Sequence, residues 1–398
     1  MNLTSGLRTP ALVKNGVRGI FGITVALAVL AVLAAPASAQ EYSFVKVADS
    51  VEDDFDPFNF GCSSINARGD VAFRAGRRAP DGFNTIDGIY RVNAADGSLT
   101  TIAEDERRFL FIGVNPSMND LGQVSFAASL ETGNKPHAEA IFRGTGKKLT
   151  TIAETAKGPF NFFGFDTSVN NSGEVAFKAE LDEEFGFDEG LFSGRGKDVT
   201  NHYLASTSEF DGNDSRPSIN NPGEIAFDES VNFDDGIFVT EGDGFKTIAA
   251  PDPDRSVQEP VLNDAGTAAF ETSFTDPATG EFVTAIVTGN GGPLTTVVDT
   301  RGPFAFFGFR PPSLNNDGDV AFLATDDSGT TGIFTGPDPV QDRVIATGDT
   351  LDGSTVQSLN FCEEGLSDSD ELAFIATFED PGSPEGVRFA VFRATPGA

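Results

Sequence analysis

The sequence predicts an all-β fold, a seven-bladed β-propeller of four-stranded blades. Three observations lead there. A ten-residue pattern, "SLNNDGDVAF" at 313–322, recurs as "SINARGDVAF", "SMNDLGQVSF", "SVNNSGEVAF", "SINNPGEIAF" and "VLNDAGTAAF", with a degenerate copy in "GLSDSDELAF". Its terminal residue falls at Phe73, Phe126, Phe177, Phe227, Phe270, Phe322 and Phe374, at steps of 53, 51, 50, 43, 52 and 52. Repeats of about fifty residues with four strand-like segments have the size of a propeller blade. Finally, a segment near the N-terminus supplies the strand that the last repeat lacks.

The elements follow in order, with strands labelled A to D within each repeat. Asn at one place and Gly three later match the corners of a type I turn closed by a left-handed bulge. Asn66 and Gly69, Asn119 and Gly122, Asn170 and Gly173, Asn220 and Gly223, Asn263 and Gly266, and Asn315 and Gly318 thus read as structural A–B turns. The other reading is a ring of Asn side chains that binds a ligand. Strand B, such as "DVAFLA", puts Val and Phe on one face and Ala on the other, so both faces are apolar and neighbouring units can interlock ring against methyl. Ser125 is the one departure from Ala. Strand C reads "GIYRV" at 88–92 and "AVFRA" at 390–394; strand D reads "LTTIAE" at 99–104 and 149–154. Strand A is the extended stretch before each turn. "FVKVAD" at 44–49 resembles the D series, and Ser43–Asp49 is expected to pair beside Ala390–Ala394, closing the ring and removing its open edges. The rival is a parallel β-solenoid, whose rungs are shorter and which needs no returned strand.

The repeat resembles a bacterial extracellular tandem-repeat family called choice-of-anchor NxxGxxAF. The run Asn66-Ala67-Arg68-Gly69-Asp70-Val71-Ala72-Phe73 and five clear copies carry the likeness across nearly the whole chain after residue 39. It implies an extracellular repeat protein with no established enzymatic activity.

Residues 1–39 read as a secretory signal peptide: Arg8, Lys14 and Arg18, an apolar run from Ile20 to Ala35, then "ASA" at 37–39. An uncleaved anchor is the alternative. Residues 40–398 form the single propeller domain, secreted to an extracellular or periplasmic space with no membrane insertion. The leader holds three basic residues and no acid, so the remaining chain sets 24 basic against 60 acidic side chains, a net of −36. Such a surface repels nucleic acid and suits high salt or divalent cations. No metal or organic cofactor is required by any motif, and calcium is the cation the acidic loops would bind. Asp211, Asn213 and Ser215 alternate as ligands of a calcium loop, or lie on a solvated acidic face.

The B–C and D–A connections share one face and vary: the step from the B-strand Phe to the C-strand apolar residue is 16 at Phe73–Ile89, 10 at Phe227–Ile237 and 17 at Phe374–Val391. Variable loops on a rigid scaffold are where binding resides. "GPFNFFGF" (158–165) and "GPFAFFGF" (302–309) read as inner strands packing Phe inward, or as an exposed apolar rim. His137 and His202 lie in dissimilar loops, and no nucleophile elbow, zinc spacing or phosphate loop is present, so no catalytic residue is assigned. The expected function is a non-catalytic binding or scaffold module for an extracellular protein or small ligand, acting through the variable face. The alternative is a secreted hydrolase or lyase, which carboxylates converging in the central channel would favour.

Cys62 precedes its B-strand Phe by 11 residues and Cys362 by 12. They occupy equivalent A-strand places in the first and seventh repeats, neighbours only in a closed ring. In an oxidising compartment they read as a disulfide; two free thiols are the alternative.

Overall fold

A computed structural model describes residues 40–397 except 80–84, 106–107, 133–134, 187, 197, 213–215, 309 and 384. The leader thus lies outside the described residues. Those described form seven antiparallel sheets, each of four principal strands, which excludes a parallel solenoid. Blade 3 is representative: A is Phe160–Val169, B Val175–Leu181, C Glu189–Gly194 and D Val199–Leu204. In blade 7, A is Ser354–Asn360, B Leu372–Glu379, C Val387–Pro396, and D is the N-terminal strand Tyr42–Asp49. Its register runs from Tyr42 opposite Pro396 to Asp49 opposite Ala390, so the returned strand closes the ring with the pairing expected.

Blades pack through their faces. The B-strand Phe lies directly opposite an aromatic residue of strand C in six blades, as Phe126 with Phe142 and Phe374 with Phe392. These two pairs stack with centroids 5.6 and 5.8 Å apart. The same rings meet the preceding blade's small residues: Phe126 packs in one cluster with Ala72, and Phe73 in another with Ala373. The core is therefore a ring of inter-blade layers. At Ser125, the departure from Ala, the buried hydroxyl is satisfied by Thr167 Oγ1 of the next blade at 2.9 Å.

The turn motif is also a latch between blades. Asn170 Oδ1 accepts the backbone N–H groups of Ser172 and Glu174 at 3.1 and 3.0 Å, forming the turn. Gly173 takes φ 76°, the left-handed conformation this place requires. The amide nitrogen then reaches out of the blade: Asn170 Nδ2 donates to Asn220 O at 3.1 Å. The same bond links Asn66 to Asn119, Asn119 to Asn170, Asn220 to Asn263 and Asn263 to Asn315. Two further belts run parallel. From blade 2 onward the residue after the Asn place receives the preceding blade's N–H, as Asp120 Oδ1 from Ala67 N at 2.9 Å and Asn316 Oδ1 from Asp264 N at 2.7 Å. Serines two before the Asn accept from the following blade instead, as Ser117 Oγ from Val169 N at 2.9 Å. Asn170→Ala removes a turn cap and a buried inter-blade bond together. It is expected to cost about 2–3 kcal/mol, read as a lower midpoint in urea unfolding.

All three belts lapse at one seam, from blade 7 to blade 1. Ser367 replaces the Asn, Ala67 carries no acceptor, and Gly365 stands in the serine place. The Cys62–Cys362 disulfide bridges that seam, with Cα atoms 5.9 Å apart. Both cysteines are buried.

The B-strand place after the Phe carries charge in several blades. Lys178 pairs with Glu229 and the Tyr203 hydroxyl across blades 3 and 4. Glu271 at the equivalent place has no such cation among the described residues, and burial pushes its carboxyl up to about 7. From about pH 4.5 to 7 the unfolded chain loses this proton while the folded chain keeps it, so this group's contribution to stability falls as pH rises. Glu271→Gln is expected to remove that slope. At pH 8 it should stabilise by on the order of 2–3 kcal/mol, measured by denaturant titration of both proteins across the window.

Candidate functional site

Each A strand breaks from its ladder just before the turn. In blade 3 the register jumps between Phe163 and Thr167; in blade 2 the strand stops at Ile112 and resumes at Ser117. The freed residues are carried to the axis. The place four before the motif Asn is Cys62, Asn115, Asp166, Arg216, Glu259, Pro311 and Glu363 around the ring. The repeat is otherwise regular, and this is where its chemistry changes from blade to blade.

These groups meet across the channel. Arg216 of blade 4 pairs with Glu363 and, at 3.1 Å, with Glu364 of blade 7. Arg216 and Glu363 are 4% exposed at their side chains. Glu364 Oε2 also accepts Ser64 Oγ at 3.0 Å and Met118 N at 3.1 Å, tying blade 7 to blades 1 and 2. On the other side, Arg310 Nη1 donates to Asn115 Oδ1 at 3.2 Å, and Asn115 Nδ2 donates to Asp166 Oδ1 at 2.6 Å. Burial raises the Glu259 carboxyl above its ordinary range; Arg216 opposes this and Asp166 adds to it. Four carboxylates do converge, but guanidinium and amide groups take up three of them, so the cluster plugs the channel. The belts behind it line an open cavity of about 150 Å³ that Glu363 and Glu364 also border. The Asp and Asn groups at that mouth are spent on one another, as Asn171 Nδ2 on Asp120 Oδ2 at 2.6 Å.

The sequence-derived candidates divide. The six Asn–Gly pairs lie in the A–B turns, where the Asn groups serve both the turn and the latch. Asp211 accepts the Phe233 backbone N–H at 2.7 Å, supporting a hairpin; Asn213 and Ser215 lie outside the described residues. Cys62, Cys362 and Glu363 cluster closely, but the sulfurs are joined to each other and offer no thiolate to a metal. His202 Nε2 lies 2.9 Å from Ser193 Oγ. That hydroxyl is buried and donates to Glu174 Oε1 at 2.7 Å, so the carboxylate holds the hydroxyl and does not orient the imidazole.

The Phe-rich segments serve both expected roles. Phe160, Phe163, Phe304 and Phe307 are buried, whereas Phe162, Phe165 and Phe306, on the innermost strands, are exposed. Phe309 lies outside the described residues. Among the described residues, Phe58, Phe233 and Phe282 are the other exposed Phe side chains. All six belong to the half bearing the B–C and D–A connections.

Fold and site together define a closed seven-bladed β-propeller with a plugged channel and an apolar-studded variable face. Residues 65–325 and 238–398 match a family described as "Family of unknown function (DUF7453)", and the chain belongs to that family. No curated protein matches the sequence. The fold is similar to the β-propeller domain of the Trilobed protease from Pyrococcus furiosus, with TM-score 0.52 and 9% identity over 84% of this chain and 92% of that one. It is also similar to the Pyrococcus horikoshii acylaminoacyl peptidase, with TM-score 0.50 and 11% identity over 80% of this chain and 49% of that one. The chain thus spans about half the length of that peptidase. At these identities the likeness is one of fold.

Proposed function

We propose that the protein is an exported, non-catalytic binding module that engages its ligand through the face bearing the B–C and D–A connections. One observation carries this reading: among the described residues the six exposed Phe side chains all lie in that half, while the opposite face spends its polar groups on inter-blade belts. Apolar rings left in water on a rigid scaffold are the feature of an interaction surface. A buried disulfide fits the oxidising compartment that export would reach, as does the resemblance to choice-of-anchor NxxGxxAF repeats. The second reading, a hydrolase or lyase, draws on the convergence of Asp166, Glu259, Glu363 and Glu364 in the channel. The pairing of Arg216 with Glu363 and Glu364 weighs against it, because a catalytic carboxylate must be free to exchange a proton.

The test is a peptide and glycan array probed with residues 40–398, with and without calcium, alongside a Phe58→Ser/Phe233→Ser/Phe282→Ser variant. Saturable binding that the variant loses is the expected result. Turnover of an arrayed compound, abolished by Glu259→Gln and retained by the triple variant, would overturn it in favour of the channel enzyme.

A further inference from the structure

Blades 4 and 5 leave a cleft of about 910 Å³ on the variable face, with Phe233 and Phe282 among its walls. Phe233 occupies the second place of a two-residue hairpin, Asn232–Phe233, that joins the B strand Ile225–Val231 to the C strand Asp234–Glu241. Both turn residues take positive φ, 55° and 70°. This hairpin favours Asn followed by Gly; the Asn is in place, and a bulky ring stands where Gly belongs. That ring is 91% exposed, so the strained turn gains no packing from it. The bond from Phe233 N–H to Asp211 Oδ2 holds the turn in this form. Phe282, 72% exposed, opens the C strand of blade 5 and also borders the cleft.

The lining between the rings is acidic. Asp234, Asp235, Asp252 and Asp254 face a single cation, Arg255. Asp235 receives the Ser230 hydroxyl at 2.6 Å, and Asp252 the Asp254 N–H at 3.0 Å. The carboxylates of Asp234 and Asp254 make no hydrogen bond or ion pair among the described residues. Two exposed aromatic faces beside uncompensated carboxylates complement a cationic side chain, which the rings attract through their π faces and the carboxylates by charge.

We propose that the cleft between blades 4 and 5 docks an extended cationic peptide segment of a partner protein, with an Arg or Lys side chain held against Phe233 and Phe282 above the aspartates. This deepens the binding-module reading and rests on it. The rings select a peptide over a bare divalent cation, which uses only oxygen ligands.

The probe is a fluorescent octapeptide alternating Arg and Val, titrated by anisotropy into residues 40–398 at low salt, beside a counterpart alternating Gln and Val. Saturable binding of the Arg peptide alone is expected, weakening as NaCl rises. Phe233→Ser, Phe282→Ser and Asp234→Asn/Asp254→Asn should each weaken it tenfold or more, and Phe282→Trp should retain it. Val340→Ser, exposed in a C–D connection on the opposite face, should leave it unchanged. Phe233→Gly should raise the melting temperature and weaken binding together, which a purely structural role for the ring would not do. Equal binding of the Gln peptide, competition by calcium at equal ionic strength, or full binding by the cleft variants overturns the docking proposal. Loss in Phe58→Ser alone also overturns the cleft while leaving the face in use; absence of any array ligand is what overturns the face.

Discussion

Deleting residues 40–50 is expected to lower stability by at least about 5 kcal/mol, a fall of roughly 10 °C or more in melting temperature. Among the described residues, Tyr42–Asp49 is the only partner on one side of Val387–Pro396. Without it, that strand becomes an open edge beside fully buried Ala390, Val391 and Phe392. Phe44 also leaves its edge-on contact with Phe374, centroids 6.1 Å apart. The charge cluster fails as well: buried Asp49 accepts from Arg388 Nε at 2.7 Å, and Lys46 pairs with Asp352 at 3.1 Å. Removing Asp49 leaves the Arg388 guanidinium with Asp352 as its one remaining carboxylate among the described residues. An unchanged melting curve would mean that the strand is dispensable and the ring open.

The second large effect is reduction of the Cys62–Cys362 bridge. The bridge closes a loop of sequence separation 300. The chain-entropy relation credits such a loop with about 5–6 kcal/mol of stability. Cys62→Ser/Cys362→Ser should show a loss of that order in guanidinium unfolding, and reductant should bring the native protein to the same midpoint. Strand and bridge act on the same closure, so their effects should not add. In the chain lacking 40–50, reduction should go further and abolish cooperative unfolding. A wild-type midpoint indifferent to reductant would show that the bridge contributes nothing to the closed ring.

These two predictions rest on features the sequence carried openly. The motif repeats in step, and Val and Phe two apart with Ala between them specify a strand buried on both faces. The likeness of "FVKVAD" to "LTTIAE" marks the returned strand. The turn chemistry of Asn170 and Gly173 was equally legible because both partners of the Asn carbonyl oxygen are local. Its second role was not. Asn170 Nδ2 bonds a backbone carbonyl fifty residues away, and a carbonyl leaves no mark in a sequence.

The channel was hidden for a different reason. In a chain with 60 acidic residues, Asp166, Glu259 and Glu363 do not stand out by type. What distinguishes them is register, four places before the motif Asn, where a break in strand A turns the side chain to the axis. Arg216 could have been found the same way, as a lone cation at that register. Phe233 was obscured because its support is not local: Asp211, 22 residues earlier, holds the hairpin that displays the ring. The lapse of all three belts between blades 7 and 1 also explains why that junction, and no other, carries the chain's two cysteines.

Closure between the first and seventh blades is the claim on which the scaffold and its binding face both stand. Mass spectrometry of the denatured, unreduced and alkylated protein tests it directly. The account predicts no alkylated cysteine and a single cross-linked peptide pair containing Cys62 and Cys362 within one chain. Alkylation of both cysteines, or links joining Cys62 to Cys62 between chains, would contradict it.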